Sequence, residues 1–381
     1  MELSDVCTKY QEASKIVNLA LQGLILQCKA GAKVVDLCKF GHTVIEAQVS
    51  KLYTKKVNGV VIEKGVAFPV CISVNEIVCN CSPLDSEDEF HSPLKVGDVV
   101  KIDLGCHIDG YISVAAHTLV VPDGDTVTDV DPALGRVATA AYNAMLVASA
   151  HIQAGKTNTE VTKAVERVAK AYNVSPICTV RMHQMKRFVI DGVKEVALRE
   201  PVPDDAEEME EKLPECTFEQ YEVYAIDVAM STGEGKAKPA GLRTTVYKRN
   251  VESNYKLKMK ASRQLLSEVD KKYPTLPFTL RDFSDERCAK MGVNECLSHG
   301  LLLPYPSLQE KVGEHVAHFK CTVLLLPSGT SKVSSLPLPD YFKSDVECDE
   351  ETAAILKTIQ EAAEKKARKA AKKKAARKKK N

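Results

Sequence analysis

The sequence predicts an α+β fold, because stretches with helical spacing of apolar residues precede strand-like segments, and this order occurs twice along the 381 residues. A short internal similarity in the sequence supports the same fold class. The strand-like runs 101–105 (KIDLG) and 225–229 (AIDVA) each place one aspartate among apolar residues, 124 positions apart. A similarity this short is weak alone. Together with the repeated helix–strand order, it indicates a duplicated architecture.

The first half starts with two helical segments. Near-helical spacing runs from about residue 3 to residue 30 and ends before Gly31, and a second helical stretch covers about 33–52. Short apolar runs bounded by turn residues then predict three strands. These strands are 66–74 (VAFPVCISV), 98–105 (DVVKIDLG) and 110–121 (GYISVAAHTLVV).

The second half repeats this order. Residues 131–173 predict two helices joined by the turn Gly155–Thr159, and a strand follows at 222–230 (EVYAIDVAM). Helices are expected near 256–271 and 283–303, and the last strand at 320–327 (KCTVLLLP). After residue 348 the sequence is rich in Ala, Glu and Lys, and acids precede bases. That order suits the dipole of a terminal helix, so a fraying helix is predicted there.

Composition places the chain among ordinary soluble proteins, with 44% hydrophobic and 27% charged residues. No apolar run approaches the roughly 18 residues of a membrane helix. The start, MELSDVCTKY, lacks the basic and apolar regions of a secretory signal. We therefore expect an intracellular protein without a membrane partner. Its 13 scattered cysteines contain no CxxC, which favours reduced, mostly buried thiols over a disulfide framework or a zinc ribbon.

Charge is distributed unevenly. Residues 365–381 hold 11 Lys or Arg and no acid, so the first 364 residues carry 41 basic and 51 acidic side chains. Glu200–Glu219 has nine acids and one lysine and is expected to be a mobile acidic surface loop. Lys236–Arg263 has nine bases and one acid, with two tyrosines interleaved, and is interpreted as a basic surface segment. An acidic body with a basic tail suggests an arm for a polyanion.

Three charged residues stand inside apolar strands. Asp103 and Asp227 lie in the two similar runs, and Lys320 lies in the last strand. Each side chain can point to the solvent face of its strand, as alternation permits. Alternatively, the two carboxylates and the ammonium meet in the core, because an unpaired buried aspartate costs several kcal/mol.

Several runs resemble a known family. Three are similar to the type II methionine aminopeptidases, which have the pita-bread fold: VGDVVKIDLGCHIDGYISVAAHT, AFPVCISVN and EVYAIDVAMSTGEG. Others resemble a non-peptidase branch, the eukaryotic proliferation-associated or ErbB-receptor-binding proteins: ISVNEIVCNCSP, RMHQMKRFVIDG, GEGKAK, GLRTTVYKR, PFTLRDF and AHFKCTVLLLP. The likeness implies a pita-bread α+β domain over 8–345, with a basic, helical insertion at about 236–312 and the acidic loop 200–219. A helical, lysine-rich tail would cover 346–381.

The resemblance also implies a lost metal site. Aminopeptidases of this type hold two metals about 3.5–4 Å apart with Asp, Asp, His, Glu and Glu. By position these ligands fall on Asp103, Val114, His183, Asp227 and Lys320. Two substrate-pocket histidines fall on Asn80 and Asp191.

Two ligands are thus intact, one acid is shortened, and a valine and a lysine replace the others. A valine has no lone pair and an ammonium repels cations, so a dinuclear site cannot assemble. The resemblance therefore implies a pseudoenzyme without metal or cofactor. We expect the Lys320 ammonium to lie between Asp103 and Asp227 and to replace the charge of the metals.

Other histidines and the cysteines receive no role. The histidines at 107, 117, 315 and 318 show no metal-ligand spacing with a retained partner. No cysteine has an identifiable base beside it, so a thiol nucleophile is not expected.

The basic segments predict salt-sensitive, sequence-independent binding to nucleic-acid phosphates. Tyr247 and Tyr255 could stack on bases, but two rings are too few to define a platform. The resemblance implies that the partners are the large ribosomal subunit, ribosomal RNA and other structured RNA, in cytoplasm and nucleolus. The residues assigned to RNA binding are the bases of the two segments. They are Lys236, Lys238, Arg243, Lys248, Arg249, Lys256, Lys258, Lys260, Arg263, Lys365, Lys366, Arg368, Lys369, Lys372, Lys373, Lys374, Arg377, Lys378, Lys379 and Lys380.

Three functions remain open at this point. The first is a ribosome- and RNA-associated pseudo-aminopeptidase acting in ribosome biogenesis, translation control or growth regulation. The second is an active methionine aminopeptidase, which Val114 and Lys320 disfavour. The third is a chromatin or curved-DNA scaffold of the same fold. A groove that holds protein partners without cleaving them is compatible with the first, since pocket shape can outlast a metal site.

Overall fold

A large antiparallel sheet with helices on one face forms the body of the molecule. The computed structural model describes residues 3–56, 59–90, 92–128, 130–201 and 213–378. The α-helices are α1 Leu3–Gln27, α2 Val34–Val49, α3 Pro132–His151, α4 Asn158–Ala171, α5 Lys260–Lys272, α6 Glu286–Ser298 and α7 Glu350–Lys378. Among these residues, no helix combines the length and apolar character that crossing a bilayer requires.

The strands fall into one large and two small sheets. They are β1 Lys64–Val74, β2 Ile77–Cys79, β3 Val99–Ile108, β4 Tyr111–Val120, β5 Ser175–Pro176, β6 Arg181–Met185, β7 Glu195–Ala197, β8 Val223–Ser231, β9 Lys238–Pro239, β10 Val246–Arg249, β11 Phe278–Thr279, β12 Leu302–Tyr305, β13 Leu308–Gln309, β14 Val316–Leu326 and β15 Gly329–Lys332. The large sheet has the order β1-β3-β4-β14-β8-β6-β7, and β15 and β5 pair with β14 and β8. The small sheets are β11-β10-β12 and β2-β13-β9.

The predicted α+β class is confirmed, and the helix pairs cover the sheet in two halves. Helices α1 and α2 pack on β1, β3 and β4, whereas α3 and α4 pack on β14, β8 and β7. Each half has its own apolar cluster of buried residues. The two aspartate-bearing strands, β3 and β8, lie on either side of the central pair β4 and β14. The similarity between the runs 101–105 and 225–229 thus corresponds to two strands at matching places in the sheet.

The hairpin between β3 and β4 is made by a two-residue turn. Asp109 and Gly110 have φ angles of 58° and 75°, as a type I′ turn requires. The Asp109 carboxylate accepts a hydrogen bond from Lys9 of α1 at 2.5 Å and is also paired with Arg187. These two cations offset the burial of the carboxylate, which alone would raise its pKa, and hold the pKa of Asp109 below its ordinary value.

The segment from β10 to β12 has a small core of its own. Tyr247, Phe278, Phe283 and residues of α5 and α6 form a separate apolar cluster. The expectation of a purely surface segment at Lys236–Arg263 was wrong here, because β10 buries Val246 and Tyr247. The Tyr247 hydroxyl donates to the Thr244 carbonyl at 2.7 Å, so its polar end is satisfied inside the protein. That ring is not available to a nucleic-acid base.

Two predicted boundaries also differ. The helix predicted at 283–303 ends at Ser298, because Gly300 adopts a φ of 63° and the chain then enters β12. The predicted acidic loop lies partly outside the described residues, at 202–212. Its end is not a mobile surface segment, because Phe218 is 1% exposed and its amide donates to the Lys156 carbonyl.

Candidate functional site

One row of residues crosses the centre of the large sheet and carries three charges. Asp103 on β3 is paired with Ala116 on β4, Ala116 with Lys320 on β14, and Lys320 with Asp227 on β8. Neighbouring strands are about 4.8 Å apart, so Asp103 and Lys320 are separated by two strand spacings. The small side chain of Ala116 leaves room for the lysine to reach across that gap. The row therefore brings both carboxylates to one ammonium.

The Lys320 ammonium is held by both aspartates. Its Nζ lies 2.6 Å from Asp103 Oδ2 and 2.8 Å from Asp227 Oδ2. The three side chains are only 8%, 4% and 12% exposed, respectively. The expected ion pairs are confirmed, and the alternative in which each charge faces solvent is wrong. The helices cover the opposite face of the sheet, and on this face Phe68, Tyr305 and Leu308 line the space around the three side chains.

Pairing dominates the proton equilibria of this cluster. Burial alone would raise the pKa of Asp227, but the charges of Lys320 and His318 and their hydrogen bonds hold it well below its usual range. Burial alone would lower the pKa of Lys320, but the two carboxylates raise it above its ordinary value. Both groups are therefore charged at neutral pH. Neither Asp227 nor Lys320 changes its charge near neutral pH, so neither of these two groups serves there as a general acid or base.

His318 belongs to the cluster and was missed by sequence reasoning. Its Nε2 lies 2.5 Å from Asp227 Oδ1, and the residue is 1% exposed. Because the carboxylate is ionised, Nε2 carries the proton and donates it. The signal was available: His318 is two residues before Lys320 on one strand, so both side chains point to the same face. The search for metal-ligand spacing overlooked this alternation.

A cavity of about 310 Å³ opens beside the cluster. Its lining contains all seven positions assigned to the lost metal site and its pocket, namely Asn80, Asp103, Val114, His183, Asp191, Asp227 and Lys320. Apolar side chains such as Phe68, Ile190 and Leu308 complete the walls. The structure thus brings together residues that are more than 200 positions apart. The family-based positions thus lie around one cavity, and their assignment to a former metal site stays a prediction.

The two pocket positions have internal partners. Asp191 accepts hydrogen bonds from Lys248 Nζ and from the Tyr305 hydroxyl. Burial alone would raise the pKa of Asp191, but His183, Lys248 and these hydrogen bonds hold it below its ordinary value. Asn80 adopts a φ of 62° and donates from Nδ2 to the Pro306 carbonyl at 3.1 Å. Both side chains fix the cavity wall to the segment that carries Tyr305.

The donor set does not fit the two metals of an aminopeptidase. An ammonium occupies the space between Asp103 and Asp227, and Val114 supplies no donor atom. Among the described residues, no group of three or more His, Cys, Asp or Glu side chains is placed to hold a metal ion. Asp103 Oδ1, His183 Nδ1 and His318 Nδ1 are buried without a hydrogen-bond partner within the described part of the chain. Polar capacity for a ligand therefore remains, but not a dinuclear metal site.

The cysteines behave as the sequence predicted. All 13 are free thiols. Cys79 reaches the cavity, but burial first, and then the negative charge of Asp227, raise its pKa to about 12. A thiolate at this position is strongly disfavoured at neutral pH.

The basic residues of the segment Lys236–Arg263 differ in their exposure and in their ion-pair partners. Lys248 and Arg249 have side chains 15% and 11% exposed and are paired with Asp191 and Asp270. Arg243 is half exposed and pairs with Glu87 at 2.6 Å. The other positions lie nearer the solvent: Lys236 is partly buried, and Lys238, Lys256, Lys258, Lys260 and Arg263 are exposed. A phosphate contact by Lys248 or Arg249 would require breaking an internal ion pair.

The tail forms the predicted helix and is anchored at its start. Asp349 accepts hydrogen bonds from the amide and hydroxyl of Thr352, at 3.0 and 2.6 Å. Arg167 pairs with Glu351 at 2.6 Å, and Ile355 and Leu356 pack against the core beside α3. From Lys357 to Lys365 most residues are exposed, as is Arg368. Lys379 and Lys380 lie outside the described residues.

Comparison with known proteins identifies relatives along nearly the whole chain. Residues 8–212 match the model of metallopeptidase family M24. The chain is 46% identical to "ERBB-3 binding protein 1" of Solanum tuberosum, over 88% of this chain and 83% of that protein. It is 38% identical to "Curved DNA-binding protein" of Schizosaccharomyces pombe, over 93% and 90% of the two chains. The solved structure of a thermophilic Arx1 superposes with a TM-score of 0.84 at 28% identity, covering 93% and 98%.

Proposed function

We propose that this chain, which belongs to the M24 metallopeptidase family and to its group of ErbB-3-binding proteins, is a non-catalytic member that binds RNA and the large ribosomal subunit. Its place of action is the cytoplasm and nucleolus, in ribosome biogenesis, translation control and growth regulation. The observation that carries the proposal is the Lys320 ion pair with Asp103 and Asp227. It replaces the metal charge of a peptidase and leaves the basic surfaces as the functional feature.

Two basic surfaces support RNA binding. The exposed lysines at 256, 258 and 260 lie next to the start of α5, and the basic end of α7 adds a second cationic surface. Cations on a rigid body and on a projecting helix can bind phosphates at two places on a large RNA. We propose that the body, 8–345, determines the docking position and that the tail, 346–381, adds non-specific affinity. The cavity, which retains polar atoms without partners, is proposed as a contact for protein partners.

The ribosomal part is tested by co-sedimentation with purified ribosomal subunits across a salt series. We expect the chain to pellet with the large subunit at low salt and to be released as salt rises, because phosphate contacts release counterions. A variant with Lys256, Lys258 and Lys260 changed to Gln should be released at lower salt. The control changes Lys311, an exposed lysine outside this segment that pairs with Glu234, to Gln.

Two outcomes would contradict this part of the proposal. The first is no association with either subunit at low salt. The second is equal pelleting with both subunits that the three lysine changes leave unaltered. Either result would leave the cavity as the leading functional surface.

The non-catalytic part is tested by metal titration and by a Met-peptide cleavage assay. The wild-type chain should bind neither zinc, cobalt nor manganese at the cavity and should not cleave the peptide. Changing Val114→Asp together with Lys320→Glu removes the ammonium and adds two carboxylates, so we expect the double variant to gain binding of a divalent cation. Calorimetry measures the gain, and Lys320→Met alone is the control, since it removes the charge but adds no donor.

Metal binding with peptide cleavage by the wild-type chain would overturn the non-catalytic proposal. If the double variant binds no cation, a sequence difference other than Val114 and Lys320 prevents metal binding. The shorter Asp227, in place of a glutamate, is then the first position to change.

A second candidate function is DNA binding. The observation that favours it is the 38% identity to the Schizosaccharomyces pombe relative named for curved DNA. Competition between structured RNA and duplex DNA of equal charge, at one salt concentration, separates the two. Stronger competition by bent duplex DNA than by RNA would favour this candidate.

A further inference from the structure

Two exposed aromatic rings stack on each other beside the exposed lysines. The rings of Tyr255 and His299 are nearly parallel, with centroids 3.5 Å apart and an angle of 13° between the planes. Tyr255 is 37% exposed, and His299 is also exposed. Tyr255 lies between β10 and α5, whereas His299 follows the last turn of α6. The pair forms a flat ring surface of a kind the sequence does not indicate.

The segment that carries Tyr255 is tied to the segment that carries His299. Asn250 donates from Nδ2 to the Gly300 carbonyl at 2.9 Å and to Ser253 Oγ at 3.0 Å. Arg249 donates to the carbonyls of Ser253 and Leu301, at 3.1 and 3.0 Å. The two segments that carry the rings are therefore joined by part-buried hydrogen bonds from the Arg249 and Asn250 side chains. A surface that is ordered before binding loses little entropy when a ligand stacks on it.

Cations flank the rings. Lys256, Lys258 and Lys260 are exposed and form no ion pair with any described residue. Val251 and Met259, 66% and 43% exposed, add apolar surface nearby. A second exposed tyrosine, Tyr221, is 59% exposed but stands between Glu219 and Glu222. Of these two exposed tyrosines, Tyr255 is therefore the one that lysines follow in the sequence.

We infer that Tyr255 and His299 form a stacking platform for an unpaired base of RNA, with the adjacent lysines binding the phosphates of that nucleotide and its neighbours. The inference rests on the proposed RNA binding and adds that a single-stranded position is recognised. Each nucleotide presents one π-face and one negative charge, which matches a ring surface flanked by ammonium groups. A paired base inside a duplex cannot present its face in this way. The platform therefore favours a loop, bulge or end over continuous duplex.

Fluorescence of 2-aminopurine tests the platform directly. The probe is an RNA hairpin with one 2-aminopurine in its loop, and the comparison RNA carries it in the stem. We expect the wild-type chain to quench the loop probe, since stacking on a ring quenches this base, and to leave the stem probe nearly unchanged. Tyr255→Ala should abolish the quenching and weaken hairpin binding by about 5- to 150-fold, the range for one base–aromatic stack.

Matched variants separate stacking from charge and from folding. Tyr255→Phe keeps the ring and should retain quenching, whereas Tyr221→Ala removes an exposed ring from an acidic surrounding and should have no effect. Lys256→Gln with Lys258→Gln should weaken hairpin and blunt duplex alike, because it removes phosphate contacts only. Unchanged thermal unfolding of Tyr255→Ala shows that the surface change leaves the fold intact.

The outcomes distinguish this inference from the proposed function. If Tyr255→Ala quenches and binds like the wild type while the lysine changes weaken binding, the platform is wrong and RNA binding stands. If hairpin and blunt duplex bind equally and the loop probe keeps its fluorescence, the platform is also wrong. If the chain binds neither RNA at low salt, both fail.

Discussion

Changing Lys320 to methionine is expected to lower the free energy of unfolding by about 3 to 5 kcal/mol, because it leaves two buried carboxylates without their shared counter-charge. Asp103 and Asp227 both lie within 2.8 Å of this ammonium, and the lysine side chain is only 8% exposed. Methionine keeps most of the side-chain volume, so the loss comes from charge rather than from a cavity. Denaturant unfolding near neutral pH measures it.

The pH dependence of this loss has a definite sign. In the wild type, the lowered pKa of Asp227 contributes stability above its ordinary value near 4, and that stability is lost as pH falls through the folded pKa. The raised pKa of Lys320 contributes stability below its ordinary value near 10.5, which is lost only at higher pH. In Lys320→Met the facing carboxylates take up a proton as pH falls. The difference in the free energy of unfolding between the variant and the wild type should therefore become smaller as the pH falls.

Two further variants isolate the cause. Adding Asp103→Asn to Lys320→Met removes one of the facing charges and should recover part of the lost stability. Lys311→Met disrupts an exposed ion pair with Glu234 and should change stability little. A Lys320→Met protein as stable as the Lys311 variant at neutral pH would show that the buried triad is not an essential charge balance.

The central row of the sheet could be predicted from the sequence because its signals are local. Asp103 and Asp227 stand in strand-like runs, and Lys320 stands at a comparable place in a third strand. A buried charge requires a partner, so the three residues predict one another once they share a core. Sequence alone left open which face of the sheet is covered. Burial of the charged face depends on the segments that carry Phe68, Tyr305 and Leu308, whose meeting over this row no local pattern contains.

His318 and the Tyr255–His299 pair show where sequence reasoning stops. His318 follows from strand alternation with Lys320, so a closer use of period two would have placed it. Tyr255 and His299 are 44 positions apart and meet only because the segment after β10 is bonded to the end of α6. Tyr247 shows the reverse case: a tyrosine among basic residues is buried, because β10 lies inside a small apolar cluster. Tertiary packing decides the last two cases, whereas the first needed only strand alternation.

The Lys320 ammonium also balances charge that a buried pair of carboxylates would otherwise leave uncompensated. A buried pair of carboxylates repels itself, and an aminopeptidase balances that charge with two cations. Here one ammonium and the His318 donor satisfy three of the four carboxylate oxygens, leaving Asp103 Oδ1 without a partner in the described chain. The sheet can therefore keep its strand order and its cavity.

Ending the chain at Glu364 is expected to reduce both RNA affinity at moderate salt and the steepness of its salt dependence. The removed segment carries 11 cations and no acid. Each phosphate contact that is lost lowers the slope of log affinity against log salt by about 0.7 to 0.9, so six contacts would remove about 4 to 5. The fold should be unaffected, because the core contacts of α7 are made by Ile355 and Leu356, before the deletion.

A full-length variant with the tail lysines and arginines changed to glutamine is the matched control. This variant keeps the length of the chain. If the slope of log affinity against log salt falls equally in this variant and in the shortened chain, the effect comes from charge. An unchanged slope in the shortened chain would show that the body makes the phosphate contacts. We expect the shortened chain to bind more weakly overall but to keep its preference for the large subunit. The proposal assigns non-specific phosphate attraction to the tail, and it assigns the position of binding to the ordered body with its rings and lysines.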